Sequence, residues 1–360
     1  MKRKWIKRTL IILGVMVAVL AVAFFLLRIW LFPSYEEPEA TGSYIVKTKV
    51  FTWEDESRRE TFTDTGENRI LTIKFWYPEK EGNYPLVVFS HGAFGVIDSN
   101  HSTYMDLASN GYVVASIGHT YHAAFVEDVN GKITIGDMDF VQQVYGENGA
   151  DAGEAEKRVY EFGKEWMGIR TGDINFVLNI ILNKAGKKEE EPFTLVDVEK
   201  IGLFGHSMGG AAVVQIGRER RDIDAVLNLE GTMSGEYVGF DDEKGYEIYN
   251  EDPYPVPLLD INSKAVRDQI AQLSEEYPGW EYVNDYVGRN AVDYREGVFA
   301  DAGHMNFTDL PMLSPVLAGM LGVGEVDPKE CITNVNEVVR TFFDYYLKSK
   351  GTLESIQAEY

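Results

Sequence analysis

A single cysteine, Cys331, occurs in the 360 residues, so an intramolecular disulfide is excluded. Basic side chains are scarce: 34 Lys/Arg stand against 57 Asp/Glu, for a net charge of -23. A body of that sign repels phosphate, which argues against nucleic acid as a partner. The H-E-x-x-H pattern of zinc hydrolases is absent. His119 and His122 lie close in sequence, but no third metal ligand accompanies them. They read as pocket-wall or supporting residues, and neither a metal nor an organic cofactor is expected. Repeats and long disordered tracts are also absent, and the 45% hydrophobic content is that of a globular protein.

The N-terminus departs from this pattern. Lys2, Arg3, Lys4, Lys7 and Arg8 precede an uncharged run of 19 residues, Thr9 to Leu27. That length spans a hydrocarbon core as a helix. Arg28 and Trp30 mark an interface, and the basic flank keeps the N-terminus cytoplasmic. Residues 1–32 are therefore expected to be a transmembrane signal-anchor at the cell membrane. Residues 33–43 read as a linker, and residues 44–360 as an extracellular domain. The competing reading is a signal peptide cleaved near Ala21-Val22-Ala23, which would release a secreted protein. The run continues through Phe24 to Leu27, which favours the anchor. No cysteine directly follows it, so a lipoprotein is excluded. The first 32 residues hold six Lys/Arg and no acid, leaving 28 Lys/Arg against 57 Asp/Glu, or -29, beyond them.

The rest of the chain is organised around Ile201 to Gly210. An apolar strand-like run, Ile201 to Phe204, meets a helix beginning on small residues, Gly209-Gly210-Ala211-Ala212. Between them lies G-x-S-x-G, with Gly205, Ser207 and Gly209. In that context the motif is a sharp strand-to-helix turn that raises the Ser207 hydroxyl at the C-terminal edge of a sheet, beside a helix N-terminus. Elsewhere, Tyr44 to Trp53 and Arg69 to Tyr77 read as an antiparallel opening pair. Pro85 to Ser90, Tyr112 to Ile117, Ala225 to Leu229, Pro257 to Ile261 and Val298 to Ala300 read as further strands. Helices are expected over Ser99 to Asn110, Arg170 to Asn183 and Asn334 to Lys348. The pattern predicts an α/β protein of the α/β-hydrolase fold: a mostly parallel central sheet with helices on both faces, preceded by one transmembrane helix. Residues 123–165 are too long for a simple crossover. They read as an insertion near the active site, holding a hairpin within Val126 to Ile135 and an acidic segment with Asp151, Glu154 and Glu156, or else as a surface excursion without a role.

Three strand ends supply candidate chemistry. Ser90-His91-Gly92-Ala93 follows a central strand, where this fold places an oxyanion amide. The Ala93 N–H is one candidate donor and the Met208 N–H the other; His91 reads as structural. Glu230 follows Ala225 to Leu229 directly and is the candidate triad acid. Asp260 falls inside its strand, Asp268 in a helix, and Asp301 within three residues of His304. His304 follows the last strand in a loop with Gly303 and comes after every acid candidate. The order Ser207, Glu230, His304 is that of α/β-hydrolase triads.

These pieces resemble the platelet-activating-factor acetylhydrolase family. The match is carried by Phe89-Ser90-His91-Gly92, Gly205-His206-Ser207-Met208-Gly209-Gly210-Ala211, Pro257 to Ser263, and His304-Met305-Asn306-Phe307-Thr308-Asp309, over roughly Tyr44 to the last helix. That family usually carries Asp where this chain has Glu230 and Phe where it has Met208. The N-terminal anchor lies outside the shared pattern. The resemblance implies a serine esterase or lipase-type enzyme acting on short or oxidised acyl chains of phospholipid-like substrates. Two alternatives stay open: a hydrolase of the same fold acting on non-lipid esters, such as polyesters or xenobiotics, and an inactive extracellular binding domain. Intact Ser207 and His304 speak against the last. Sequence is silent on oligomeric state.

Overall fold

The computed structural model describes residues 2–145, 152–356 and 359–360. Eight strands form the main sheet: β1 (Val46–Arg59), β2 (Asn68–Pro78), β3 (Tyr84–Ser90), β4 (Val113–Gly118), β5 (Val196–His206), β6 (Ala225–Leu229), β7 (Leu258–Ser263) and β8 (Tyr294–Phe299). Their order across the sheet is β1-β2-β4-β3-β5-β6-β7-β8. The first two pairings, β1 with β2 and β2 with β4, are antiparallel, and every later one is parallel. This is the mixed α/β architecture with a mostly parallel sheet that strand patterning predicts.

Burial explains the patterns. All seven residues of β3 are buried, as are all of β4, β6 and β7. Strands covered on both faces need no polar alternation, so they read as continuous apolar runs. The edge strand β1 instead mixes half-buried and exposed positions. One apolar core, with Ile174, Val177, Leu178 and Ile181 of the helix Ala152–Gly186, fills the face shared with the helix Met208–Glu219. The other, with Val335, Val339, Phe342 and Phe343, lies under the helices His101–Ser109 and Pro328–Lys348.

Several elements differ from expectation. The helix expected over Arg170 to Asn183 runs from Ala152 to Gly186, so the last part of the supposed polar insertion, residues 152–165, belongs to its first half. The rest of that insertion holds a hairpin of Phe125–Glu127 with Ile133–Ile135 and a helix Met138–Tyr145. Asp151 lies outside the described residues, as do the side chains of Glu154 and Glu156. A second hairpin, Tyr237–Asp241 with Tyr246–Tyr249, was not foreseen. Its turn is held by Asp241, whose Oδ1 accepts from the backbone N–H of Glu243 and of Lys244.

The N-terminal helix runs Lys2–Leu31 and leaves Val17, Leu20, Phe24 and Leu26 exposed. A transmembrane helix is not shown: among the described residues no helix is long and apolar enough to cross a membrane. Within the expected span Thr9 to Leu27, the side chains of residues 9–12, 14 and 15 lie outside the described ones.

Candidate active site

Four strands deliver the candidate residues to one edge of the sheet. β5 ends at His206, and Ser207 makes the turn into the helix Met208–Glu219. Ser207 has φ 54° and ψ -126°, a left-handed conformation that a side chain adopts only under strain. Surrounding structure enforces it. A Cβ on Gly209 would come within 1.9 Å of the Ser90 carbonyl oxygen, so only glycine lets the helix start this close to β3.

β6 ends at Leu229, and Glu230 follows with φ 51°. Its carboxylate is nearly enclosed and has two partners. The Ser263 N–H donates to Oε1 at 2.6 Å, and His304 Nδ1 lies 2.7 Å from Oε2. His304 sits in the loop after β8, with about a third of its side chain exposed. That loop is braced by Asn306, whose Oδ1 accepts from the N–H of Gly303 and of Gly324. His206 adds a second brace, with its Nε2 3.0 Å from the His304 carbonyl oxygen. Burial, then the neighbouring His304, holds His206 well below the usual histidine pKa, so its ring is neutral and Nε2–H is the donor.

Ser207, Glu230 and His304 all open into one cavity of about 440 Å³. Among the described residues no hydrogen bond joins Ser207 to His304. Such contacts are commonly loose before substrate enters. The cavity walls are mainly apolar or aromatic, including Val159, Trp166, Met167, Val266 and Tyr282, with Glu247 also on the lining. Tyr237 of the second hairpin and Tyr160 of the long helix also line it.

The two candidate oxyanion amides sit differently. Met208 is the first residue of its helix, so its N–H has no intrahelical acceptor. Ala93 follows Gly92, and a Cβ on Gly92 would come 3.1 Å from the Ser207 Cβ. The loop after β3 is thus packed against the serine.

Among the described residues none of the other candidate acids, Asp260, Asp268 or Asp301, hydrogen-bonds His304. Asp260, fully buried within β7, accepts from the side-chain amides of Asn228, Asn262 and Asn284 at 2.7 to 3.1 Å. Burial raises its pKa to about 6 against the lowering effect of those bonds. Asn228 and Asn284 also donate to the Gly231 carbonyl, so Asp260 anchors the turn that carries Glu230. Asp268 pairs with Lys264 on a surface helix. His119 and His122 are buried, with His119 between Ser90 and Asp173 and His122 against Arg170. No group of metal-ligating side chains is found among the described residues.

Sequence reading missed Arg170, which is completely buried behind the loop after β3. The signal was a charge four residues before Ile174, on the apolar stripe of its helix. It also missed the Ser263 N–H, because backbone donors leave no mark in composition.

The sequence profile described as platelet-activating factor acetylhydrolase, isoform II, matches residues 60–355. A platelet-activating factor acetylhydrolase of Canis lupus familiaris is 27% identical over 289 residues, covering 73% of this chain and 57% of that protein. That of Bos taurus is 26% identical over 286 residues, with the same two coverages. The chain thus spans little more than half the length of these relatives. Among solved structures, a ferulic acid esterase from Streptomyces cinnamoneus superposes with a TM-score of 0.64 at 22% identity, over 90% of this chain and 96% of that one. At that identity the likeness shows the shared fold.

Proposed function

The chain belongs to the platelet-activating factor acetylhydrolase, isoform II, family, and on that premise we propose that it is a serine-type carboxylic ester hydrolase. The observation that carries this reading is the hydrogen bond of His304 to the enclosed Glu230, on the cavity that Ser207 also lines. Ser207 attacks the ester carbonyl, and His304 takes its proton and then passes it to the leaving alcohol. Glu230 keeps the proton on Nδ1, so that Nε2 is the base, and offsets the positive charge that develops on the ring. The N–H groups of Met208 and Ala93 receive the oxyanion, each such donor contributing about 3 kcal/mol in known cases. Water then releases the acyl group from Ser207.

The apolar and aromatic lining supports an acyl group in the cavity. The acidic body repels anionic head groups and supports zwitterionic or neutral substrates, among them phospholipids with a short or oxidised acyl chain. A series of p-nitrophenyl esters of rising acyl length, followed by phosphatidylcholines, tests this. Turnover should be highest for short chains and extend to the phospholipid. Activity confined to non-lipid esters would move the substrate to the second class.

The uncharged run Thr9 to Leu27 and the exposed apolar side chains of the N-terminal helix support a membrane-tethered enzyme with its catalytic domain outside the cell. Protease added to intact cells is expected to digest the domain. Protection, or free protein in the medium with a new N-terminus near Phe24, would refute the anchor.

A further inference from the structure

Arg170 has an unusual set of partners for a completely buried guanidinium. Among the described residues no carboxylate accepts a hydrogen bond from it. Asp173, one turn along the helix, is occupied by Arg69 and His119. Arg170 instead donates through Nη1 to the His91 carbonyl at 2.7 Å, through Nη2 to the Gly92 carbonyl at 3.2 Å, and through Nε to His122 Nδ1 at 3.1 Å. Burial and Arg69 lower its pKa, with Asp173 opposing, to about 9, so it is charged at neutral pH.

The Gly92 carbonyl and the Ala93 N–H are the two ends of one peptide unit. That peptide is trans, so they point in opposite directions. A donor that captures the carbonyl therefore aims the N–H the other way. Gly92 O receives three donors: Arg170 Nη2, the Gly95 N–H at 3.1 Å, and His91 Nδ1 at 2.7 Å. His91 Nε2 accepts from the His119 N–H, which leaves the ring proton on Nδ1. At the far end, the Ala93 N–H has no acceptor among the described residues, and its neighbour Gly92 is packed against Ser207. A cation on a peptide oxygen also draws charge from the N–H at the other end, making it a stronger donor.

We propose that Arg170 is a positioning residue that orients and polarises the Gly92–Ala93 peptide so that the Ala93 N–H meets the oxyanion. This rests on the reading of Ala93 as an oxyanion donor. His122, which accepts from Arg170 Nε, stacks on Phe140 with ring centroids 4.0 Å apart, and both rings are buried. Water there would compete for the carbonyls and weaken the charge.

The test uses the full chain in Arg170→Met and Arg170→Lys forms, with melting temperature, kcat, KM and the affinity of an alkyl trifluoromethyl ketone. That ketone forms a charged hemiketal on the serine. Arg170→Met should lower kcat by about a hundredfold, as loss of one oxyanion donor does, and leave KM within about threefold. Ketone affinity should fall by the same factor as kcat/KM. Arg170→Lys, which keeps the charge and reaches one carbonyl, should recover part of the loss, and it carries the test if the methionine variant does not fold. A folded variant with kcat within about threefold of wild type would overturn the proposal. So would a large kcat loss with unchanged ketone affinity, since a structural defect would do that. Wild-type protein without Ser207-dependent ester hydrolysis would refute the esterase reading itself. An active wild type with indifferent Arg170 variants would refute only the role given to Arg170.

Discussion

Ser207→Ala is expected to lower ester turnover by at least about 10⁴-fold, as loss of a triad serine does, and to leave the fold intact. The hydroxyl faces the cavity and makes no hydrogen bond within the described residues, so its removal breaks no internal contact. Serine and alanine both carry a Cβ, so the strain at φ 54° is the same in each. Ser207→Gly separates the two effects further. It removes the Cβ from a left-handed position and should be about 1 kcal/mol more stable than the alanine variant, yet equally inactive. A fluorophosphonate should label wild-type protein at Ser207, read by peptide mass spectrometry. Labelling that persists in Ser207→Ala would remove this serine from the nucleophile's role.

Glu230→Gln carries the second large effect, and the site's geometry gives it a direction. Ser263 offers an N–H to Oε1, so glutamine must place its carbonyl oxygen there. Its amide NH₂ then faces His304 Nδ1, where Oε2 had accepted. The imidazole answers by moving its proton to Nε2, the nitrogen that should receive the proton of Ser207. A comparable Asp→Asn change in another triad costs about four orders of magnitude in turnover, and a fall of at least a hundredfold is expected here. Asp260→Asn is the control. It exchanges one acceptor for a donor among three asparagine amides, which should cost about 1–3 kcal/mol of stability, while turnover stays within about tenfold. An Asp260→Asn variant that folds like wild type but loses turnover a hundredfold would transfer the acid's role to the next strand.

The chain order Ser207, Glu230, His304 and the strand before each were legible because buried parallel strands write themselves as apolar runs. The elbow was legible because its turn admits only glycine two residues to either side of the serine. Glu230 was preferred to Asp260 by position alone, as the residue just past a strand end. The physical difference between them lies in partners: three amides enclose Asp260, and one imidazole meets Glu230. Nothing local in sequence encodes those partners, since Asn284 and His304 come from separate later segments.

The long helix makes the same point. Its second half was recognised from Ile174, Val177, Leu178 and Ile181, which repeat at helical spacing. Its first half carries too many charges for that signal, and it forms because Met167 and Trp166 pack on the core and the cavity. The hairpin Tyr237–Asp241 with Tyr246–Tyr249 escaped notice because its strands are short and half exposed.

Sequence by itself determined what stands at the strand ends: a serine on a glycine-bounded turn, an acid and a histidine after later strands, and a glycine-containing loop after β3. Those features are local, because a tight turn and a buried strand each constrain a few consecutive residues. Tertiary structure alone decided which acid meets His304, what holds the Gly92 carbonyl, and what lines the cavity. Each of those depends on groups brought together from distant positions, often backbone N–H and C=O groups that every residue shares, and so they exist only once the sheet has closed.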